Sequence, residues 1–229
     1  MIVEDFVCLG RTVPEQSKKY GHRVCCAGYS RELNQLIRVY PLMVRNPVKC
    51  RGVYRMHLER NPSDGRRESW KLKPGSTIEQ VATNGFCLDD LHDFIVPSVQ
   101  FANENRMSLA VVDVNASGEF AERAGVSNAE QLELFDDLRD AGFGASAVDI
   151  APYLVFADDG GMHRLQVREW GCYEFIRKRR QDAAKLGGNL ALHRRQLLVI
   201  GNMNHRRNVW LVIKTFALPE KPVQPELFA

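Results

Sequence analysis

The amino-acid sequence predicts a mainly β chain with α insertions: two small β-barrels joined by an acidic, partly helical connector. Three features carry that expectation. Apolar runs of strand length recur at both ends of the chain, separated by Gly, Pro, Asn and Asp turn signals. Charge falls in three blocks: residues 1–72 hold 14 Lys/Arg against 7 Asp/Glu, residues 73–160 hold 4 against 16, and residues 161–229 hold 13 against 5. The last third orders as strand, strand, helix, strand, strand, one strand short of a five-stranded barrel of the oligonucleotide-binding (OB) type. The division that follows is a first OB-like lobe over 1–115, an acidic connector over 116–150, a second OB-like lobe over 151–218 and a flexible tail over 219–229.

In order, Ile2 to Leu9 is an opening strand, and Arg11 to Tyr20, with Pro14, a loop. A hairpin follows: Val24 to Tyr29, a turn over Ser30 to Gln35, then Leu36 to Tyr40. Alternation on its second strand places Leu36, Arg38 and Tyr40 on one face and Ile37 and Val39 on the other. Pro41 and Pro47 bracket a connector, Val48 to Leu58 is a strand, and NPSDG at 61–65 is a strong turn signal. Leu88, Leu91, His92 and Ile95 have helical spacing, closed by Pro97. Ser108 to Val114 is the most apolar strand and therefore central. The acidic stretch 117–144 carries one helix, Asn128 to Ala141. Then come a strand over Pro152 to Ala157, a turn over 158–161, a strand over His163 to Arg168 and a helix over Glu169 to Lys185, stopped by Gly187-Gly188. Gln196 to Ile200 and Val209 to Phe216 are the closing strands, joined by the polar turn 201–207.

Several function classes are disfavoured. No run approaches the roughly 18 apolar residues of a membrane span. The start, MIVEDFVCLG, has an acidic pair where a secretory signal needs basic residues. Six cysteines without CxxC read as reduced thiols, hence a cytoplasmic expectation. No P-loop, GxGxxG, HExxH or GxSxG occurs, and no cofactor is expected. Zinc would need a mixed Cys/His cluster assembled by the fold. Asp158-Asp159 fits a turn and Asp89-Asp90 a helix start, so no metal site is assigned.

Two cationic lobes suit a polyanion, because each neutralised phosphate releases counterions. The alternative is that the acidic middle folds against both ends and cancels their fields. The candidate nucleic-acid contacts are Arg38 and Tyr40 on the first hairpin, Arg66, Arg67 and Trp70 after the NPSDG turn, then Arg164, Arg194 and Arg195. In the turn GNMNHRRN and just beyond it, Asn202, His205, Arg206, Arg207 and Trp210 complete the set. His163 and His205 sit beside arginines at strand ends, which leaves a nuclease as an alternative. A protein-binding adaptor is the other: the tail reads QPELF, with Gln224, Leu227 and Phe228 resembling the peptide by which bacterial replication and repair proteins bind the sliding clamp.

Four segments together, KKYGHRVCCAGYSRELNQLIRVYPL, GRRESWKL, HRLQVREWGCYEFIRKRR and LLVIGNMNHRRNVWLVI, resemble bacterial dual OB-fold proteins of anti-phage conflict systems. The likeness covers the first 70 residues and 153–216. It implies nucleic-acid binding as a non-catalytic subunit of a multi-protein system, and DNA is the expected partner more than RNA. Some relatives carry cysteines before the histidine of the HRLQV strand. Here that place reads FADDGGM (156–162), so a zinc role does not carry over.

Overall fold

The computed structural model describes residues 1–17, 21–124, 150–178 and 195–218. The first sheet comprises β1 (Ile2–Arg11), β2 (Glu15–Ser17), β3 (Gly21–Ser30), β4 (Gln35–Met43), β5 (Val53–Arg60), β6 (Ser69–Leu72) and β7 (Ile78–Ala82). Its strands run β1-β3-β4-β6-β5, and β5 returns to pair with β1, closing a barrel. Within that ring the pairs are antiparallel except β4 with β6, where Arg38 faces Ser69 and Val39 faces Trp70. The short β2 and β7 hang on β3 and β5.

The second sheet comprises β8 (Ile95–Val96), β9 (Leu109–Ala124), β10 (Ile150–Asp158), β11 (Gly161–Val167), β12 (Arg195–Asn202) and β13 (Trp210–Ala217). Here β9-β10-β11-β13-β12 close back on β9, and β11 with β13 is the parallel pair of the ring. In both rings the barrel strands, ranked along the chain, lie first, second, third, fifth, fourth, and the third and fifth run parallel. That is the five-stranded Greek-key barrel of the OB type, built twice.

The strand missing from the C-terminal third is β9. The apolar run Ser108 to Val114, placed by sequence in the first lobe, opens the second barrel, and β9 runs across the expected 115/116 border. Its composition follows from burial on two sides. Ala110, Val112 and Val114 point into the second barrel with Leu198, Ile200 and Phe156. Leu109 and Val111 point out of it and meet Leu197, Val199, Ile213 and Phe216 from the same barrel and Val7, Leu9, Ala27, Tyr29 and Leu36 from the first. A strand with both faces covered loses its polar alternation. The first barrel has its own core, with Phe6, Cys26, Ile37, Val39, Tyr54, Met56 and Leu58. Ile37 and Val39 therefore point inward as alternation requires, and the Leu36–Arg38 face is covered by the other barrel rather than open.

Other elements differ locally. The strand expected from Val48 starts at Val53. The preceding residues turn around the Tyr54 hydroxyl, which accepts from Lys49 N (2.6 Å), and Arg51 adopts a φ of 70°. The spacing Leu88 to Ile95 produces a 3₁₀ helix, Asp89–Phe94, packed on the seam through Leu91. A short helix α1 (Val99–Glu104) is capped by Ser98, whose Oγ accepts from Phe101 N (3.0 Å). Helix α2 is described over Trp170–Lys178. The helix expected at Asn128 to Ala141 lies outside the described residues, as does the stop at Gly187-Gly188. Among the described residues no helix is long and apolar enough to cross a membrane.

Barrel closure leaves no room at Gly28, where a Cβ would sit 2.3 Å from Val7 O and 2.4 Å from Phe6 Cζ. Gly28→Ala is expected to destabilise the chain by about 1–3 kcal/mol through overpacking, read as a lower thermal midpoint. Gly65→Ala, whose methyl would lie 3.8 Å from Arg207 Nη2, is expected to stay within about 0.5 kcal/mol of wild type. Equal midpoints for the two variants would contradict the β1–β3 register.

Candidate functional site

Each barrel has a loop between its fourth and fifth strands: residues 61–68 in the first and 203–209 in the second. The two loops meet. Asn204 Nδ2 donates to Ser63 O (3.2 Å), and Asn202 Nδ2 donates to Met107 O (3.1 Å) and Arg207 O (3.0 Å).

The NPSDG turn is built by its own side chains. Asn61 Oδ1 accepts from Ser63 N (3.2 Å) and Ser63 Oγ (2.8 Å), and Asp64 N donates to Asn61 O (2.9 Å). Asp64 then receives Arg66 through Nε (2.8 Å) and Nη2 (2.6 Å), together with Ser69 Oγ (2.6 Å). Both partners of this forked ion pair are buried. The remaining Arg66 nitrogen, Nη1, crosses the seam to Asn202 O (2.6 Å).

Arg38 reaches the same carbonyl. Its Nη1 donates to Asn202 O (3.2 Å) and its Nη2 to Ser108 O, so two guanidinium groups converge on the end of β12. Arg38 is only 2% exposed and, among the described residues, has no carboxylate in ion-pair reach. Burial lowers its pKa from the ordinary guanidinium value. The fields of Cys25, Asp64 and Glu68 oppose that shift, and Arg207 adds to it. Glu68 is held by Ser108, whose Oγ donates to it (2.5 Å).

Around this buried knot, Arg67, His205, Arg206 and Arg207 are exposed. Arg207 is steadied by Asn204 O, which accepts from its Nε (3.1 Å). None of the three arginines has an ion-pair partner among the described residues. Elsewhere five cations are paired, Arg31 on Asp90 (2.5 Å), Arg55 on Glu4 and Glu79, Lys71 on Glu59 (2.8 Å), Lys214 on Glu169 and Arg195 on Asp113 (2.5 Å), while Arg45, Lys49, Arg51, Lys73 and Arg106 are exposed single charges among the described residues. The acidic block thus cancels part of the basic lobes, as the alternative reading of the charge pattern held, but leaves the loop rim cationic.

The expected residues therefore separate. Arg38, Tyr40, Arg66, Asn202 and His205 line one cavity between the barrels. Arg67, Arg206 and Arg207 stand on the exposed loops that form the rim. Trp70 and Trp210, expected as stacking surfaces, are 9% and 4% exposed and fill the two barrel cores, with Arg60 over the Trp70 ring at 3.7 Å. Large aromatic area at a strand start is drawn inside when the strand closes a barrel. Arg195 is held by Asp113, and Arg164 lies over the Tyr153 ring at 4.1 Å on the outer β10–β11 surface. His163 is committed to the hairpin: its Nε2 is 2.9 Å from the buried carboxylate of Asp158, which also accepts from Val99 N (2.8 Å) and Gly160 N (2.8 Å). Arg194, Gln224, Leu227 and Phe228 lie outside the described residues.

Sequence reasoning missed Asn61, Ser63, Asp64 and Asn204 as site-forming groups. The available signal was Asp64 two residues before Arg66, a spacing that lets a turn carboxylate fork the guanidinium.

The family model of a domain of unknown function, DUF8758, matches residues 3–85, which span the first barrel. No curated protein matches the chain. Among solved structures, a murine DNA-binding protein bound with double-stranded DNA is similar at 7% identity, covering 94% of this chain and 95% of that one, with a TM-score of 0.37. The Ifi202 HINa domain in complex with 20 bp double-stranded DNA has 7% identity, coverages of 94% and 96% and a TM-score of 0.40. A replication protein A heterotrimer bound to single-stranded DNA has 13% identity, coverages of 88% and 43% and a TM-score of 0.32. The OB assignment rests on strand order and pairing, not on these likenesses.

Removing one charge of the buried pair exposes its role. Asp64→Asn leaves Arg66 without a counter-ion and is expected to lower unfolding free energy by about 3–5 kcal/mol. The apolar double variant Asp64→Leu/Arg66→Met is expected to lose less, measured by urea unfolding. A double variant that loses at least as much as Asp64→Asn would show that the crossing bond to Asn202 O, rather than charge burial, dominates.

Proposed function

We propose that this chain is a non-catalytic nucleic-acid-binding module that grips the sugar-phosphate backbone across the rim of the seam between its two barrels. One observation carries the reading: the equivalent loops of both barrels converge and bring Arg67, Arg206 and Arg207 onto one rim, exposed and without ion-pair partners among the described residues. Phosphate is the chemistry that such a cluster lacks. Arginine forks match two phosphate oxygens, and the polar side chains of Asn204 and His205 sit beside them.

The rim sits on the loops between the fourth and fifth strands, which in this fold border the nucleic-acid-binding face. DNA is favoured over RNA, and a cytoplasmic recognition subunit of a defence or DNA-transaction complex is the role that the family resemblance implies.

Binding of labelled single- and double-stranded oligonucleotides, followed by anisotropy across a range of salt, tests this. Log K should fall with log salt by about 0.7 per phosphate contacted on single strands and about 0.9 on duplex. Arg206→Gln/Arg207→Gln should reduce that slope by roughly 1.4 on single strands. Arg55→Gln, which removes a paired cation elsewhere on the first barrel, should leave the slope unchanged. A wild-type affinity indifferent to salt would overturn the reading.

A further inference from the structure

Beneath the rim lies a cavity of about 330 Å³, within the range of pockets that hold small organic groups, roughly 300–1,000 Å³. Its walls come from both barrels: Arg38 and Tyr40 from β4, Asp64 from the first loop, Asn202 from β12, and Leu211 and Ile213 from β13. Two of these residues carry an unfilled polar valence. Among the described residues, Arg38 Nε, on a residue 2% exposed, has no hydrogen-bond partner, and neither has Asn202 Oδ1, on a residue 6% exposed. Buried groups of this kind are ordinarily satisfied; both atoms have almost no accessible surface, so a ligand meets them only as the cavity wall adjusts, and they then describe what is meant to enter.

We propose that this cavity takes one unstacked nucleobase; the inference rests on the nucleic-acid reading above and specifies what happens at the centre of the rim. A base edge presents an acceptor beside a donor, which complements Arg38 Nε and Asn202 Oδ1 together. A phosphate offers acceptors only and would face Asn202 Oδ1 and the Asp64 carboxylate. A cation would face two guanidinium groups. The flat ring finds an aromatic wall in Tyr40 and aliphatic walls in Leu211 and Ile213, the composition on which bases stack. The rim arginines would hold the flanking phosphates while the base turns inward.

The test uses the whole chain, a mixed-sequence DNA single strand of about twelve nucleotides, an abasic sugar-phosphate strand of the same length, and the four free deoxynucleosides. Leu211→Trp fills the cavity, and Tyr40→Ala removes its aromatic wall should Leu211→Trp lose its melting transition. Wild type is expected to bind the base-carrying strand roughly tenfold or more tighter than the abasic strand. Either variant should abolish most of that difference and leave abasic affinity unchanged.

A deoxynucleoside that binds wild type but not Leu211→Trp also supports the cavity and shows that a free base suffices. No nucleoside binding, with the strand difference kept, assigns the site to a strand-borne base. Folded variants that keep the full preference for bases overturn the cavity proposal. So does a wild type that binds both strands equally, which leaves phosphate binding intact. A wild type that binds neither strand overturns the cavity proposal, and one that also leaves duplex unbound overturns the nucleic-acid reading itself.

Discussion

Arg38 is the point on which the architecture turns. A guanidinium taken almost wholly out of water must find fixed acceptors, and it finds the carbonyls of Asn202 and Ser108 on the other barrel. Arg66 adds a second donor to Asn202 O (2.6 Å), with its own charge answered by Asp64. The apolar layer of Leu109, Val199, Ile213 and Phe216 against Leu9, Tyr29 and Leu36 supplies most of the attraction between barrels, at about 25 cal/mol per Å² buried. Apolar contact is non-directional, however, and would tolerate sliding. The polar knot does not, because a shift of either barrel strands buried donors and acceptors together.

That rigidity decides what the loops can do. Loops 61–68 and 203–209 would be two unrelated excursions if the barrels turned independently. Tied through Asn202, Asn204 and Ser63, they form one rim at fixed spacing. Arg207 raises the local positive potential enough to help depress the Arg38 pKa. Like charges gathered at a rim repel one another, and an incoming polyanion relieves that repulsion while releasing its own counterions. Arg31, Arg55 and Arg195 each lie against a carboxylate, so they carry no comparable repulsion.

Much of the fold was readable where one residue period dominates. The hairpin at 24–40, the strands at 152–157 and 163–168 and the closing pair at 196–216 follow from alternation and turn chemistry. The Arg38–Tyr40 face was correctly separated from Ile37 and Val39, yet alternation reports only that two faces differ. It does not say whether the polar one meets water or a second barrel. The same limit hid β9: a run apolar on both faces signals double burial without naming the partner, so Leu109 to Val114 went to the wrong barrel. Trp70 and Trp210 misled for a related reason, since an aromatic beside a basic loop serves a core as readily as a ligand. Asn202 was singled out as a ligand contact, yet its carbonyl serves Arg38 and Arg66 across the seam, a partnership that no local spacing reports.

Duplicating a barrel creates something neither copy has. In each ring the third and fifth strands run parallel, so the loop entering the fifth strand is set against the third. In the first ring Ser69, which opens the fifth strand, lies beside Arg38, and in the second Leu211, near the start of the fifth strand, lies beside Gln166 at the end of the third. Packing the rings through β4, β9 and β12 brings the first of these loops against the second, with the β4 face between them. The cavity is the space left where two convex barrels cannot fill the angle between their loops, and its lining is drawn from both. A single OB barrel of this sequence would expose Arg38 to water as one more solvated cation. Only the pair turns it into a desolvated donor with one valence open, and desolvation is what lets a single hydrogen bond discriminate a base edge from water.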